Sequence, residues 1–114
     1  MIDFACKKFD INEIVRCSFG LTKTEFNILD TMIKSNREYS SVLIAKHMKL
    51  DLTTAQRALK KFFALNLVNR RQENLENGGY IFKYRVKDKK ELSSKILDII
   101  KEWMHNVETG IHNW

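Results

Sequence analysis

The fold is decided by SSVLIAKHMKLDLTTAQRALKK, residues 40–61. Ser40 is a favourable N-cap, and the apolar residues after it recur at helical spacing. A tight turn at Lys49–Leu52 separates this short helix from a second one, for which Thr53 is the expected N-cap. The stretch therefore predicts two short helices joined by a sharp turn.

The second of these helices is expected to run to about Leu65, with Asn66 in the left-handed conformation at its end. Its inward-facing side chains are predicted to be those of Ala55, Leu59, Phe62 and Phe63. Toward solvent this leaves the polar residues Thr54, Gln56, Arg57, Lys60 and Lys61.

A β-hairpin is predicted after these helices. The alternating runs Leu67–Leu75 and Tyr80–Val86 flank Glu76-Asn77-Gly78-Gly79, the strongest turn signal in the chain. One face of the second strand is basic. Its other face carries aromatic residues, which we expect to pack on the helices rather than to stack nucleic-acid bases. The residues of that packed face are Tyr80, Phe82, Tyr84 and Val86.

The remaining helices flank this core. Residues 10–20 predict a short helix that ends at Gly20 and holds Cys17 as a buried thiol. Thr22 and Glu25 form a capping box at the start of the next helix. After the hairpin, a long amphipathic helix is predicted, with Leu92, Ile96, Ile99, Trp103 and Val107 on its apolar face.

We therefore predict a mainly α protein with a small β-hairpin, folded as one domain over residues 1–114. The domain would consist of an N-terminal helix (10–20), a core (21–87) and a C-terminal helix (88–112). A length of 114 residues with 44% hydrophobic residues is typical of a single globular domain.

Several classes of protein are excluded by the sequence. No apolar run approaches the roughly 18 residues of a membrane span. Residues 1–10 lack the continuous apolar stretch of a signal peptide. The two cysteines, Cys6 and Cys17, have no C-x-x-C spacing and favour free thiols in a reducing compartment. We expect a cytoplasmic protein.

Positive charge is concentrated in one part of the chain. The formal net charge is +6, whereas residues 54–90 alone carry 10 basic and 3 acidic side chains, a net of +7. An excess of this kind favours binding to nucleic acid or to another anionic surface. The helix pair and the hairpin therefore carry the whole positive excess of the chain and are the expected binding surface for such a partner.

Five segments, taken in order, are similar to those of a known family. They are Leu21–Glu25, Ser40–Ala45, Thr53–Lys61, Leu67–Arg71 and Asn74–Tyr80. Together they resemble the DNA-binding domain of archaeal TrmB/MarR-like transcriptional regulators. The resemblance implies a winged helix-turn-helix, with an added N-terminal helix and a long C-terminal helix in this chain. The turn Lys49-Leu50-Asp51 departs from the family pattern, because it lacks the glycine often found there.

The resemblance makes the second helix of the pair a recognition helix, whose N-terminal residues read base edges. Arg57 has the geometry to pair with guanine and Gln56 with adenine, whereas lysines a turn later would meet phosphate. The hairpin turn, at the tip of the wing, would enter a minor groove. The predicted DNA-binding residues are Ser40, Ser41, Thr53, Thr54, Gln56, Arg57, Lys60, Lys61, Arg70, Arg71, Asn77, Gly78, Lys83 and Arg85.

The first and last helices are predicted to form a homodimer. The apolar face of the last helix runs for about four turns and would leave a large apolar patch exposed on a monomer. Two half-sites would then lie about 34 Å apart on the duplex. The alternative is that this helix folds back on its own core. The predicted interface residues are Ile11, Ile14, Val15, Leu92, Ile96, Ile99, Trp103 and Val107.

The function predicted from the sequence is sequence-specific binding to double-stranded DNA by a homodimeric transcriptional regulator. The alternative is a winged helix that mediates protein contacts in a transcription or replication assembly. The basic segment argues against that role, because the cores of protein interfaces are depleted of charge. An RNA-binding winged helix is also compatible with the charge.

Catalysis has little support in the sequence. The motifs H-E-x-x-H, G-x-x-x-x-G-K-[ST] and G-x-S-x-G are absent. His105 and His112 would lie on one helix face about 10 Å apart, which is too far for one metal ion. We therefore expect no catalytic residue, metal or cofactor.

Overall fold

The computed structural model describes residues 2–114, with the side chain of Phe4 excepted. The described part of the chain is mainly α, which confirms the predicted fold class. Its elements in chain order are β1 (Ile2–Phe4), β2 (Lys7–Phe9), α1 (Ile11–Phe19), α2 (Lys23–Ser35), α3 (Ser41–Met48), α4 (Leu52–Ala64), β3 (Val68–Asn74), β4 (Tyr80–Val86) and α5 (Lys89–His112).

The chain divides into two compact units. One unit comprises Met1–Thr22 and Lys89–Trp114, and the other comprises Lys23–Asp88. The second unit contains the helix pair α3–α4 and the hairpin β3–β4. All of the residues predicted to contact DNA lie in this second unit.

Capping residues determine where α3 and α4 begin. The hydroxyl oxygen of Ser40 accepts a hydrogen bond from the Leu43 N–H at 3.1 Å, as the sequence predicts. The predicted N-cap at Thr53 is wrong, because the Asp51 carboxylate accepts from the Thr53 N–H at 3.1 Å and starts α4 at Leu52. Asp is a stronger N-cap than Thr, and this preference decides the boundary.

The turn between α3 and α4 forms without glycine. Lys49 adopts the left-handed conformation, with φ of 56° and ψ of 47°. Its N–H donates to the Ala45 carbonyl, and the Leu50 N–H donates to the same oxygen at 2.9 Å. These hydrogen bonds end α3. They also offset part of the free-energy cost of placing a residue other than glycine in the left-handed conformation.

One face of α4 lies in the core of the second unit. Ala55, Leu59 and Phe62 are buried as predicted, and Ala58 is buried with them. The prediction that Phe63 faces inward is wrong, because its side chain is 38% exposed. Asn66 is left-handed, with φ of 59°, and confirms the predicted end of the helix.

The hairpin β3–β4 is antiparallel, and its register runs from Val68 opposite Val86 to Asn74 opposite Tyr80. Gly78 and Gly79 have φ of 90° and 79°, a backbone conformation that glycine adopts without steric cost. The predicted packed face of β4 is buried only at its base, where Tyr84 and Val86 lie. Toward the turn the strand leaves the core, and Tyr80 is 55% exposed.

Strand β4 has a second backbone partner, Tyr39, which no sequence pattern predicts. Tyr39, between α2 and α3, exchanges two backbone hydrogen bonds of 2.8 Å with Tyr84 of β4. This bridge pins the base of the wing, here defined as β3, β4 and the turn between them. It also fixes the backbone of Tyr84, whose side chain is buried.

The first unit combines α1, α5 and a short hairpin of β1 and β2. Asp10 is the N-cap of α1, and the left-handed Gly20 ends the helix where the sequence predicts its end. The prediction of a buried Cys17 is wrong, since both cysteines are exposed. The hairpin β1–β2 was not predicted, because its turn at Ala5 and Cys6 contains no typical turn residue.

The two halves of α5 have different surroundings. Leu92 is only 4% exposed and belongs to the core, so its predicted place in a dimer interface is wrong. In contrast, every residue from Lys101 to Trp114 is exposed. Among the described residues, no helix is long and apolar enough to cross a membrane.

Candidate nucleic-acid interface

The exposed side of α4 carries polar residues that are free to meet a ligand. We call this surface the α4 outer face, and it is formed by Thr53, Thr54, Gln56, Arg57 and Lys60, all of them exposed. It lies opposite the buried residues of the helix, whose spacing of three and four fixes one inward side. Within residues 2–114, Gln56, Arg57 and Lys60 have no side-chain hydrogen bond or ion pair.

Lys61 has a different environment from Lys60, although the two are adjacent in sequence. Its ammonium lies 2.9 Å from a carboxylate oxygen of Glu25 on α2, and both side chains are partly buried. The ion pair joins α2 to α4 and offsets the positive charge of Lys61. Phosphate contact is predicted for both lysines, and only the positive charge of Lys61 is offset by a carboxylate.

The cations of the wing are held by polar groups of the same chain. Arg71 binds Glu38 in a bidentate manner, with Nε–Oε2 at 2.7 Å and Nη2–Oε1 at 2.9 Å. These hydrogen bonds hold the pKa of Glu38 below its ordinary value and raise the pKa of Arg71. Glu38 therefore stays ionised, and the pair is kept, at neutral pH.

Two further wing cations have partners at similar distances. Lys83 lies 3.0 Å from a carboxylate oxygen of Glu73, a diagonal neighbour on the opposite strand of the hairpin. Arg85 donates from Nη2 to the backbone carbonyl of Asn36 at 2.8 Å. The wing is therefore a basic surface whose side chains are held in fixed orientations by these contacts. The ion pairs also offset part of its positive charge.

Arg70 lies between two aromatic rings. Its guanidinium carbon is 4.0 Å from the ring centroid of Phe63 and 4.2 Å from that of Phe82. Cation–π contacts of this kind position a guanidinium without neutralising it. They also explain why Phe63, at the end of α4, is partly exposed rather than buried in the core.

The remaining predicted residues lie at two exposed edges of the second unit. Asn77 and Gly78 are exposed in the turn at the tip of the wing. Ser40 and Ser41 are half-buried at the start of α3, whose first turn contains no acidic residue. The Ser40 oxygen accepts the cap hydrogen bond, and its hydroxyl proton remains available to donate.

The family of the chain follows from its sequence. The profile of the DnaD N-terminal domain matches residues 13–107. The chain belongs to the DnaD N-terminal domain family. The match spans α2, α3, α4 and the wing in full, so it includes every residue of the candidate interface.

Two proteins resemble this DnaD N-terminal domain over most of their length. An uncharacterized protein of Methanocaldococcus jannaschii is 33% identical over 102 residues, which cover 90% of this chain and 83% of the relative. The solved structure of a possible transcriptional regulator from Methanosarcina mazei is 31% identical, with a TM-score of 0.94, and covers 100% of this chain and 96% of that one.

A third neighbour is a MarR protein from Peptoclostridium difficile. It is 27% identical, with a TM-score of 0.53, and the similarity covers 91% of this chain and 65% of that one. These solved structures confirm the predicted winged helix-turn-helix and its likeness to MarR proteins. The more specific likeness to TrmB regulators stays a prediction.

Metal-ligating residues are scattered in this DnaD N-terminal domain. Within residues 2–114, no three His, Cys, Asp or Glu side chains lie close enough to hold a metal ion. His112 faces Glu108 one turn earlier in α5, with 3.8 Å between Nε2 and Oε1. Charge and hydrogen-bonding capacity are instead gathered on the α4 outer face and the wing.

Proposed function

We propose that the protein is a transcriptional regulator that binds double-stranded DNA sequence-specifically as a homodimer. The observation that carries this proposal is the α4 outer face. Gln56 and Arg57 lie in the first half of a helix that follows a helix-turn-helix turn, and within residues 2–114 neither side chain has a partner. Arg with guanine and Gln with adenine form the bidentate pairs that discriminate bases in the major groove.

Positive charge beside this helix supports the same proposal. Lys60 is exposed on the α4 outer face and would meet a phosphate one turn after the base contacts. The wing would follow the backbone with Arg70, Arg71, Lys83 and Arg85, while Asn77 and Gly78 approach a minor groove. The relatives named as a transcriptional regulator and as a MarR protein are consistent with this role.

The apolar residues of α5 support the homodimer. Several of them are exposed in the single chain: Leu97, Ile100, Trp103, Met104, Val107 and Ile111. Their positions, at helical spacing on one side of α5, form a continuous apolar strip. Ile11 of α1 is also exposed, and Ile14, Val15, Ile96 and Ile99 are half-buried. We propose that a second copy of the chain covers this strip.

The alternative function is protein contact within a transcription or replication assembly. One observation favours this alternative. Glu38 and Glu73 form ion pairs with two cations of the wing and so reduce the net positive charge of the wing. The α4 outer face argues for DNA, since within residues 2–114 its cations have no such partners.

Selection from random DNA duplexes tests the proposal. The full chain should enrich an inverted repeat whose half-sites are centred about one helical turn apart, because a two-fold dimer presents two copies of α4. Sequencing of the retained duplexes provides the measurement. Retention without any enriched sequence would contradict sequence-specific recognition, and no retention would favour the protein-contact alternative.

Glu38→Gln is expected to strengthen duplex binding. The change releases Arg71 from its bidentate partner and makes one more cation available to a phosphate, so we expect affinity to rise about threefold to tenfold and the salt dependence to steepen by about one unit. Fluorescence anisotropy with labelled duplex measures both quantities.

Asp30→Asn is the matched control for Glu38→Gln. It also removes one negative charge, but Asp30 pairs with Lys34 within α2 at 2.9 Å and holds no wing cation. An equal gain from both changes would show that net charge, rather than release of Arg71, governs affinity.

A further inference from the structure

Helix α5 carries an apolar seam that is separate from the side packed on its own unit. Leu92 is buried, and Ile96 and Ile99 are half-buried, so these residues mark the side of α5 that contacts the rest of the unit. A second set of apolar residues recurs along the helix at alternating intervals of three and four, and every member is exposed. We call this set the α5 seam, and it consists of Leu97, Ile100, Met104, Val107, Ile111 and Trp114.

The spacing of the α5 seam is that of a coiled coil, in which two helices pair through positions a and d of a seven-residue repeat. The first, third and fifth residues of the seam take position a, and the others take position d. Trp114 lies just past the end of α5, but its N–H donates to the Ile111 carbonyl at 3.2 Å and continues the last turn. The seam is therefore suited to a second helix rather than to a flat surface.

A second copy of this chain fits the α5 seam, because one antiparallel register covers all of its residues at once. In that register every a residue faces a d residue of the partner, whereas a shift by one repeat in either direction leaves two residues of each seam uncovered. The seam is therefore complementary to itself, as a two-fold interface requires. The facing pairs are Leu97 with the partner's Trp114, Ile100 with the partner's Ile111, and Met104 with the partner's Val107.

The charged residues beside the α5 seam favour the antiparallel direction. Lys101 and Glu108 are exposed and take equivalent positions, one repeat apart, on the same edge of the seam. In the antiparallel register the Lys101 ammonium of each chain lies beside the partner's Glu108 carboxylate, which gives two ion pairs related by the two-fold axis. In a parallel pair this edge would instead face Ile96 and Trp103 on the opposite edge of the partner. The charges are therefore complementary only in the antiparallel direction.

Gly110 supplies an independent observation on the other edge of the α5 seam. It lies inside α5, where glycine is less favourable than any residue except proline. Within residues 2–114, no atom comes within 4 Å of the place where a Cβ would stand, so the space beside Gly110 is open. The antiparallel register brings the partner's Trp103 to this space, and the Trp103 side chain is 57% exposed in the single chain. A large side chain opposite a missing one lets the two helices interdigitate.

We propose that two copies of the chain pair through their α5 seams in an antiparallel coiled coil, with Met104 and Val107 next to the two-fold axis. The proposal rests on the homodimer of the proposed function and adds its direction, its register and its contacts. Because the helices run in opposite directions, the Leu97 positions of the two chains are separated by about 25 Å along the coiled coil. The two Lys101–Glu108 ion pairs hold the register.

Disulfide cross-linking of the full chain tests the direction. The native thiols, both exposed, are first removed by Cys6→Ser and Cys17→Ser. In this background one protein carries Ile100→Cys and another carries Ile111→Cys. Neither should cross-link with itself, because an antiparallel pair separates identical residues by about 16 Å along the helix. A mixture that has exchanged subunits should give a cross-linked dimer. Cross-linking of each variant with itself, and none between the two, would show a parallel pair and overturn the proposal.

Charge reversal tests the register independently. Lys101→Glu places two carboxylates together and Glu108→Lys places two ammonium groups together, so each should raise the dimer dissociation constant about tenfold. The double variant should restore it to within about twofold, as measured by sedimentation. Glu108→Lys also removes a 3.8 Å contact with His112, but the double variant lacks that contact too. Glu102→Lys, on the outer side of α5, is the matched control and should change nothing. A double variant no better than either single one would contradict the register.

Sedimentation of the unmodified chain separates this proposal from the homodimer on which it rests. A monomer at micromolar concentration would contradict both, and would assign the α5 seam to a partner other than a second copy. A dimer that forms no cross-link between Ile100→Cys and Ile111→Cys would keep the homodimer and overturn the antiparallel coiled coil. A dimer with that cross-link and with rescue by the double charge reversal is the expected result.

Discussion

Trp103→Glu should convert the proposed homodimer into a monomer. The Trp103 side chain is 57% exposed in the single chain and lies midway along the apolar strip of α5. Large aromatic residues at the centre of an interface carry much of its binding free energy, and a buried, unpaired carboxylate is strongly unfavourable there. Sedimentation at micromolar concentration should then report 13.5 kDa instead of about twice that mass.

The same change should weaken duplex binding by at least about 100-fold, because a monomer contacts one half-site and loses the effective concentration of the second. His105→Glu is the matched control, since it adds the same charge to α5 on a different side of the helix. It should leave both the mass and the affinity unchanged. A wild-type chain that sediments as a monomer would contradict the dimer and the expected inverted repeat.

Arg57→Ala should cost about 1–3 kcal/mol of binding free energy on the selected duplex and relax preference at one base pair in each half-site. The guanidinium is exposed on the α4 outer face and makes no hydrogen bond or ion pair within residues 2–114. Its removal therefore affects DNA contact without disturbing the core. Competition between duplexes that differ at single positions measures the loss of preference.

Lys60→Ala is the companion variant. As a phosphate contact, Lys60 carries no base information, so its loss should weaken all sequences by about the same factor and lower the salt dependence by about one unit. Circular dichroism should show both variants folded. If Arg57→Ala also weakened every sequence equally, α4 would not be the element that reads the bases.

Helical spacing and capping were enough to predict most of the second unit. The positions of Ala55, Leu59 and Phe62 determine which side of α4 is buried, and so place Gln56 and Arg57 in solvent. The turn glycines Gly78 and Gly79 similarly predict the hairpin. These features depend on neighbours close in sequence, which spacing can reveal.

Contacts between distant residues were beyond such reasoning. Arg71 meets Glu38 and Lys61 meets Glu25 across more than thirty residues of chain, and no local pattern signals either pair. The apolar character of Phe63 predicts a core position, whereas its ring lies against the guanidinium of Arg70 on β3.

The prediction for α5 was limited in a different way. Spacing identifies its apolar residues but does not show which of them the same chain covers. Leu92 is buried, whereas Trp103 is exposed, although both lie on the predicted apolar face. The same limit applies to Cys17, which lies at an apolar position of α1 by helical spacing and yet is exposed.

If the α4 outer face and the wing bind duplex DNA, as we propose, the affinity should depend steeply on salt concentration. Affinity for the selected duplex is measured by fluorescence anisotropy over a series of salt concentrations. If about six phosphates are contacted, the logarithm of the binding constant should fall against the logarithm of salt concentration with a slope of roughly −5. A slope near zero would contradict the proposal that the α4 outer face and the wing bind duplex DNA.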